Sequence, residues 1–574
     1  MNFELLRREI NTVLLPSEWQ SVHPVLQRIY AARGIQTISE IDYDLKHLLP
    51  YNSLKNIESA VDLLLNTLQA QQRILIIGDF DADGATSSAL AVRVLKAFGA
   101  KHVDYLVPNR FTFGYGLTPG IVGLAAAKKP DLIITVDNGI SSVEGVLAAK
   151  THGIKVLITD HHIAGDAVPD ADAIVNPNQK GDEFASKHIA GVGVIYYVLL
   201  ALRARLREIN WFQQHNLPEP NMANYLDLVA LGTVADVVAL DHNNRILVSQ
   251  GLRRIQAGHC CAGISALLQI ARRDPQQITA SDLGFAVGPR LNAAGRLEDM
   301  SLGIECLLTD DKDKALQMAQ QLDLLNHERR SIETDMSDQA FKILEKLQIN
   351  DLAMGLCLFD ESWHQGVIGL LASRVKDKYH RPVIAFAPAN DTEIKGSARS
   401  ISGVHIRDVL DAIAKKYPAL LNKFGGHAMA AGLSLHKENF TRFQQAFAEE
   451  VALHVNPDEL RGKLYSDGAL TSDEINLELT EQLAKAGPWG QAFPEPLFDG
   501  VFTIVEQRLV GEKHLKLTLK QDNKIFSAIA FNVDLKQWPN YRCEKVHAAY
   551  RLDINEYRDL RSVQLMVEHL VSVA

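Results

Sequence analysis

Cysteine is scarce in this chain: the five present, Cys260, Cys261, Cys306, Cys357 and Cys543, form no CxxC pair and no even framework. They read as reduced thiols of a cytoplasmic protein. Long apolar runs are also missing; none approaches the ~20 residues that span a bilayer, so no membrane is expected. The opening MNFELLRREI has no apolar core and no small-residue cleavage site, which reads against secretion. A basic surplus is lacking too, since 59 Lys and Arg face 69 Asp and Glu for a net charge of −10. That balance speaks against a protein that coats nucleic acid. It still allows an enzyme that meets nucleic acid in a local groove, with part of its acid neutralised by metal. No GxxxxGK[ST] loop occurs, which argues against hydrolysis of nucleoside triphosphates. Neither a fixed-period repeat nor a low-complexity segment is present.

What remains is an ordinary globular composition, 47% hydrophobic and 22% charged over 574 residues, with roughly four domains' worth of chain at ~150 residues each. Residues 1–45 carry helix-like pieces such as VHPVLQRIYAARG. From residue 73 strands and helices alternate: RILIIG, then ATSSALAVRVLKAFGA, then HVDYLVP, LIITVD, SSVEGVLAAKTHG and KVLITD. This alternation predicts a parallel, doubly wound sheet, whose ligands bind beyond the carboxyl ends of the strands. Residues 311–347 hold apolar residues at helical spacing with no Gly or Pro, as a long connecting helix would. An αβ pattern then restarts with LAMGLCLFD and VIGLLASRVKDKY. Beyond about residue 460, short alternating strands such as HLKLTLKQ and KIFSAIAFNV predict a small β-barrel.

The strand-end rule turns this order into chemistry. GDFDADG places Asp79, Asp81 and Asp83 after the first strand, Asp137 ends another, and Asp160, His161 and His162 end a third; Asp236 follows an apolar helical run. One acid at a strand end is commonly a helix cap, and paired histidines are commonly structural. DADG alone would fit a turn or part of a calcium loop, but the distal Glu of an EF-hand is missing and a strand precedes it. Four separated segments that all bring acids to one edge are a different matter. Carboxylates with imidazole suit Mn²⁺ or Mg²⁺, and such a set can hold one or two ions for displacement at phosphorus.

GDFDADGATSS, VDNGISS, TDHH and GTVADVV, in this order, resemble the four motifs of the DHH phosphoesterase superfamily. WHQGVIGLLASR, KGSARS and FGGHAMAAGLSL resemble its companion DHHA1 domain. LVPNRFTFGYGL and GFAVGPRLNAAGRL are similar to stretches of the RecJ exonuclease family within it. The resemblance implies an α/β fold: a DHH catalytic domain over 46–305, a connecting helix over 306–348, a DHHA1 domain over 349–455 and an OB-fold single-strand-binding barrel over 456–574, after an N-terminal helical segment over 1–45. It implies metal ligands drawn from Asp79, Asp81, Asp83, Asp137, His161 and Asp236, with Asp81 and Asp83 favoured most strongly and Asp137 as the bridging carboxylate. His162 would contact the scissile phosphate and stabilise or protonate the leaving oxygen, and Asp160 would orient the histidines.

By the same resemblance, Arg110, Arg290, Asn292, Arg296, His364, Ser397, Arg399, Gly426 and His427 would bind substrate, several of them holding the 5′ end. Arg suits a terminal phosphate through its forked donors, although any single Arg is as readily a surface ion pair. Trp363 could meet a base or sit in a core. Arg508, Lys513, His514, Lys516 and Lys520 fall on an expected strand pair of the barrel. The implied activity is metal-dependent 5′→3′ hydrolysis of single-stranded DNA to 5′-mononucleotides in recombination and repair. The partners implied are single-stranded DNA with a 5′ end, a helicase and a single-strand-binding protein, and the chain is expected to be a cytoplasmic monomer. Two other readings remain: a DHH enzyme for very short oligonucleotides or cyclic dinucleotides, which would need no barrel, and a non-catalytic scaffold, which would have lost metal ligands.

Overall fold

Strands without a polar face need cover on both sides, and that requirement builds the first sheet. In the computed structural model, which describes residues 4–9, 17–109, 112–165, 167–345, 353–456, 460, 462–557 and 560–573, Ile74–Gly78 and Leu132–Val136 are buried at every position. Successive residues face opposite cores. Ile74 and Ile76 join the cluster containing Ala85 and Ala89 of the helix Ala82–Ala97, whereas Leu75 and Ile77 join that of Ile121 and Val146 from the helices Pro119–Ala127 and Val143–Thr151. The five strands pair in parallel in the order Val103–Leu106, Ile74–Gly78, Leu132–Val136, Lys155–Thr159, Ala173–Val175. The order reverses between Ile74–Gly78 and Leu132–Val136, and Asp79 and Asp137 leave the sheet at that switch point, where such folds open a crevice.

The chain divides into two compact units, each built from separated pieces. One comprises residues 9–326 and 467–574, and holds the parallel sheet and a closed five-stranded barrel. Leu515, Leu517 and Leu519 alternate inward from the strand His514–Gln521 to meet Phe502, Val546, Ala548 and Tyr550. Its pairing with Phe498–Val510 sets Arg508 opposite Lys516 and Val510 opposite His514. A buried ion pair, Arg33 with Asp467 at 2.7 Å, ties the first helix region to the segment entering the barrel.

The other unit comprises residues 1–8 and 327–466. Its sheet runs Lys423–Gly426, Ala430–His436, Glu393–Arg399, Val383–Pro388, Leu356–Phe359, with only the last two strands parallel. The N-terminal segment expected to be helical opens on a strand, Glu4–Arg7, paired in parallel with Lys463–Ser466. Its partner lies at the far end of this unit's sequence, so no local pattern announces it. The helix expected over 306–348 runs Lys312–Glu345, and Ser301–Leu308 forms a separate helix before it. Among the described residues no helix is long and apolar enough to cross a membrane.

Candidate active site

Asp81 caps the helix Ala82–Ala97: its Oδ1 accepts from the backbone N–H of Asp83 and of Gly84, both at 3.0 Å. Gly84 is needed there, because a Cβ would stand 2.4–2.7 Å from the backbone of Asp79. Asp83, 1% exposed, points from the first helical turn onto another helix start, where its carboxylate accepts from Gly191 N–H at 2.7 Å and Val192 N–H at 3.0 Å. Asp137 sits in the left-handed region at φ 61°, an uncommon conformation for a residue with a Cβ. Gly191 packs against it so closely that a Cβ would lie 2.6 Å from Asp137 Cβ. Asp236 follows the helix Leu226–Ala235.

These segments converge. Asp79, Asp81 and Asp137 offer ligand atoms within 4.8 Å of one another, as do Asp83, His161 and Asp236, and as do Asp137, His161 and His162. His161 Nε2 lies 3.1 Å from Asp137 Oδ1 and 3.4 Å from Asp236 Oδ2, and both of those carboxylate oxygens are buried without a hydrogen bond. Burial and then the neighbouring carboxylates push Asp137 and Asp236 well above the ordinary aspartate range, and burial and then Asp81 raise Asp83 to about 7. An anionic cluster that raises its own protonation is matched to positive charge, and its hard oxygen donors with one or two imidazoles fit Mn²⁺ or Mg²⁺.

Asp160 is spent on the histidines. Its Oδ1 accepts from His161 N–H at 2.7 Å, His162 N–H at 3.1 Å and the His162 ring Nδ1 at 2.7 Å, and its Oδ2 accepts from Ile140 N–H at 2.9 Å. Burial lowers the pKa of His162, but the bond and charge of Asp160 outweigh it, and the value rises to about 9. Two groups here escaped sequence reasoning. Tyr115 places its hydroxyl 3.2 Å from His162 Nδ1 and donates to the Asp137 carbonyl at 3.1 Å. Asn176 and Asn178 hold the carbonyls of His162 and His161 at 2.9 and 2.5 Å. Tyr115 lies inside the LVPNRFTFGYGL stretch, where its hydroxyl was the available signal; the two asparagines had none.

The chain matches the model of the DHH family N-terminal domain over residues 73–233, of the DHHA1 domain over 349–453 and of the RecJ OB domain over 466–569. It is 52% identical to the single-stranded-DNA-specific exonuclease RecJ of Salmonella typhimurium and 51% identical to that of Escherichia coli, over 99% of each chain. The chain belongs to the RecJ family. The crystal structure of Thermus thermophilus RecJ in complex with Mn²⁺ superposes with a TM-score of 0.79 at 30% identity, covering 96% of this chain and 76% of that one. The Mg²⁺ complex of the same protein gives 0.74 at 28% identity.

The residues that RecJ-family resemblance nominates for substrate fall in both units. Arg110 lies outside the described residues. Arg290 is ion-paired through Nε and Nη2 with Asp323 at 2.9 and 2.8 Å and donates to the Ala286 carbonyl at 2.5 Å. Asn292 accepts from Ala82 N–H at 2.8 Å and so braces the start of the acid-bearing helix, and Arg296 is on the last turn of the same helix, Gly288–Leu297.

In the other unit, Arg399 donates to Ser397 Oγ at 3.1 Å, and both crowd Gly369, where a Cβ would meet them at 2.9–3.0 Å. His364 Nδ1 accepts from Gly366 N–H at 3.1 Å. Gly426 adopts φ 147°, and His427 N–H donates to the Ala430 carbonyl at 2.8 Å. Trp363 takes the core alternative: it is 3% exposed and its indole donates to Gln339 at 2.7 Å.

Proposed function

We propose that this RecJ-family chain hydrolyses single-stranded DNA from its 5′ end in a divalent-cation-dependent reaction, releasing 5′-mononucleotides. The convergence of Asp79, Asp81, Asp83, Asp137, His161 and Asp236 at the switch point of the sheet carries the reading. Mn²⁺ or Mg²⁺, one or two ions held by these six, supplies Lewis acidity: a more acidic water and positive charge against the phosphate. In the reaction water adds to phosphorus, the P–O3′ bond of the terminal nucleotide breaks, and the phosphate stays on the shortened strand as its new 5′ end. His162 is suited to give the leaving O3′ its proton, because Asp160 anchors its Nδ1 and the bond and charge of that carboxylate favour the protonated ring. The Tyr115 hydroxyl lies 3.2 Å from the same ring nitrogen and adds to its positioning.

The barrel with Arg508 opposite Lys516 supports a path for longer strands, and Ser397, Arg399, Gly426 and His427 supply donors suited to a terminal phosphate. Family resemblance supports a place in recombination and mismatch repair, with a cytoplasmic monomer working beside a helicase and a single-strand-binding protein. It also supports the division into domains at 46–305, 306–348, 349–455 and 456–574.

Single strands labelled at the 5′ or at the 3′ end, incubated with Mn²⁺, Mg²⁺ or chelator, test the reading. Immediate release of the 5′ label as mononucleotide is expected with either cation. Shortening from the 3′ end, or cleavage that persists in chelator, would overturn it.

A further inference from the structure

Among the described residues Phe285 is the most exposed of the large apolar side chains, at 78%, and it stands on a single π-helical turn, Leu283–Val287. Leu283, Ala286 and Val287 of the same turn are all buried, so the turn is fixed while the ring projects. Insertions of this kind in helical chain are rare and concentrate at functional sites.

The segment carrying it frames the acidic cluster from two directions. On one side, a Cβ at Gly284 would lie 3.2 Å from Val234 Cγ1 and one at Gly288 would lie 3.2 Å from Ala235 Cβ, so the π turn lies along the last turn of the helix that ends at Asp236. On the other, the helix Gly288–Leu297 seats Gly295 against the Phe80 carbonyl, where a Cβ would come within 1.8 Å, and Asn292 against Ala82 N–H. Directly after Asp236 stands a second exposed apolar group, Val237, 64% exposed and held at φ 62°. A β-branched residue in that conformation is a strained one.

We infer that Phe285 is a stacking platform for a nucleobase of the DNA strand whose phosphate lies at the Asp236 side of the cluster. The inference rests on the nuclease reading above. A flat exposed ring on a segment packed along the helix that leads into a phosphate-directed cation site matches a nucleotide, which has an apolar face tethered to an anion. A single ring is too small a surface to dock a folded protein, and stacking accepts every base because each has a π face. Bases within a duplex are already stacked on both faces, whereas each base of a single strand is free to stack on such a ring, so Phe285 would favour a single strand beyond its terminal residue.

The test combines Phe285 variants with strands carrying one abasic residue at successive positions from the 5′ end, read as KM and kcat in Mn²⁺. Phe285→Ala is expected to raise KM about 5- to 140-fold, the range for loss of one base stack, and Phe285→Trp to restore it. At the stacked position an abasic residue should weaken the wild type by the same factor and leave Phe285→Ala unchanged. Phe285→Leu, which keeps apolar area without a flat ring, should behave as Ala does. The inference is overturned if Phe285→Ala matches wild type, if Leu restores KM as fully as Trp, or if the Ala defect is the same at every abasic position. A wild-type protein that fails to cut the unmodified strand would instead overturn the nuclease reading itself.

Discussion

Gly191→Ala offers a sharp test of how the site is held. Gly191 has two duties: its N–H donates to Asp83 at 2.7 Å, and its bare Cα lets Asp137 pack against it. A methyl group there would lie 2.6 Å from Asp137 Cβ, 2.8 Å from its Cα and 2.8 Å from its Oδ1. Ordinary carbon contacts are about 3.5–4.0 Å, so the overlap is on the order of 1 Å. Asp137 cannot yield cheaply, since its backbone is already left-handed at φ 61°, and moving the helix start instead pulls on Asp83. Either way one carboxylate of the cluster shifts.

Overpacking of this kind costs about 1–3 kcal/mol, and a misplacement near 1 Å costs about 10²-fold in rate. We expect Gly191→Ala to lower kcat on single-stranded DNA about a hundredfold, with a smaller change in KM and a modestly lower Tm. Gly123→Ala is the control: Gly123 is exposed within the helix Pro119–Ala127, with open space where its Cβ would go. It should raise stability by about 0.4–1 kcal/mol and leave kcat alone. A Gly191→Ala protein with wild-type kcat would refute the reasoning.

Three further outcomes can be measured. Asp81→Asn keeps an oxygen to cap Asp83 and Gly84 but removes a charge from the cluster, so the metal-free Tm should stay near that of wild type while cleavage and the Mn²⁺-dependent rise in Tm are lost; a retained rise would remove Asp81 from the ligand set. In chelator, stability should fall as pH rises from about 4 toward 7, because Asp83 has a folded pKa near 7 against an ordinary value of 3.8, so the folded state binds more protons across that window. Saturating Mn²⁺ should flatten that slope, and a gap between chelated and loaded Tm that fails to widen with pH would contradict it. Asp160→Asn should lower kcat about 10–100-fold with little change in KM, since it disturbs the seating of the histidines; a change confined to KM would argue for a substrate-binding role.

Much of the sheet was readable because its strands are continuous apolar runs, ILIIG and LIITV, bounded by Gly and Asp. The meeting of Asp79, Asp137 and His161 was readable for a related reason: parallel strands deliver the residues at their carboxyl ends to one edge. The features that escaped depend on partners far along the chain. The strand Glu4–Arg7 makes sense only beside Lys463–Ser466, and the ion pair of Arg290 only when Asp323 of the long helix is placed against it. Trp363 is equally able to face a base or a core until Gln339 is set at its indole. The closeness of Gly191 to Asp137 leaves no mark on either local sequence.

The contiguous acids of GDFDADG have a consequence for how such a chain comes into being. Alone they are a helix cap with surplus charge; Asp137 and His161 join them only when the strands pair, and Asp236 only when Leu226–Ala235 packs on the Ala82–Ala97 helix. Parallel pairing brings its reward only after long loops are closed. A copy that ends before Leu226–Ala235, or one in which that helix has not packed, therefore has an incomplete cluster. Variants that loosen the packing of Leu226–Ala235 on the Ala82–Ala97 helix should for the same reason lose cleavage before they lose helix, because the cluster depends on tertiary packing that a helix does not.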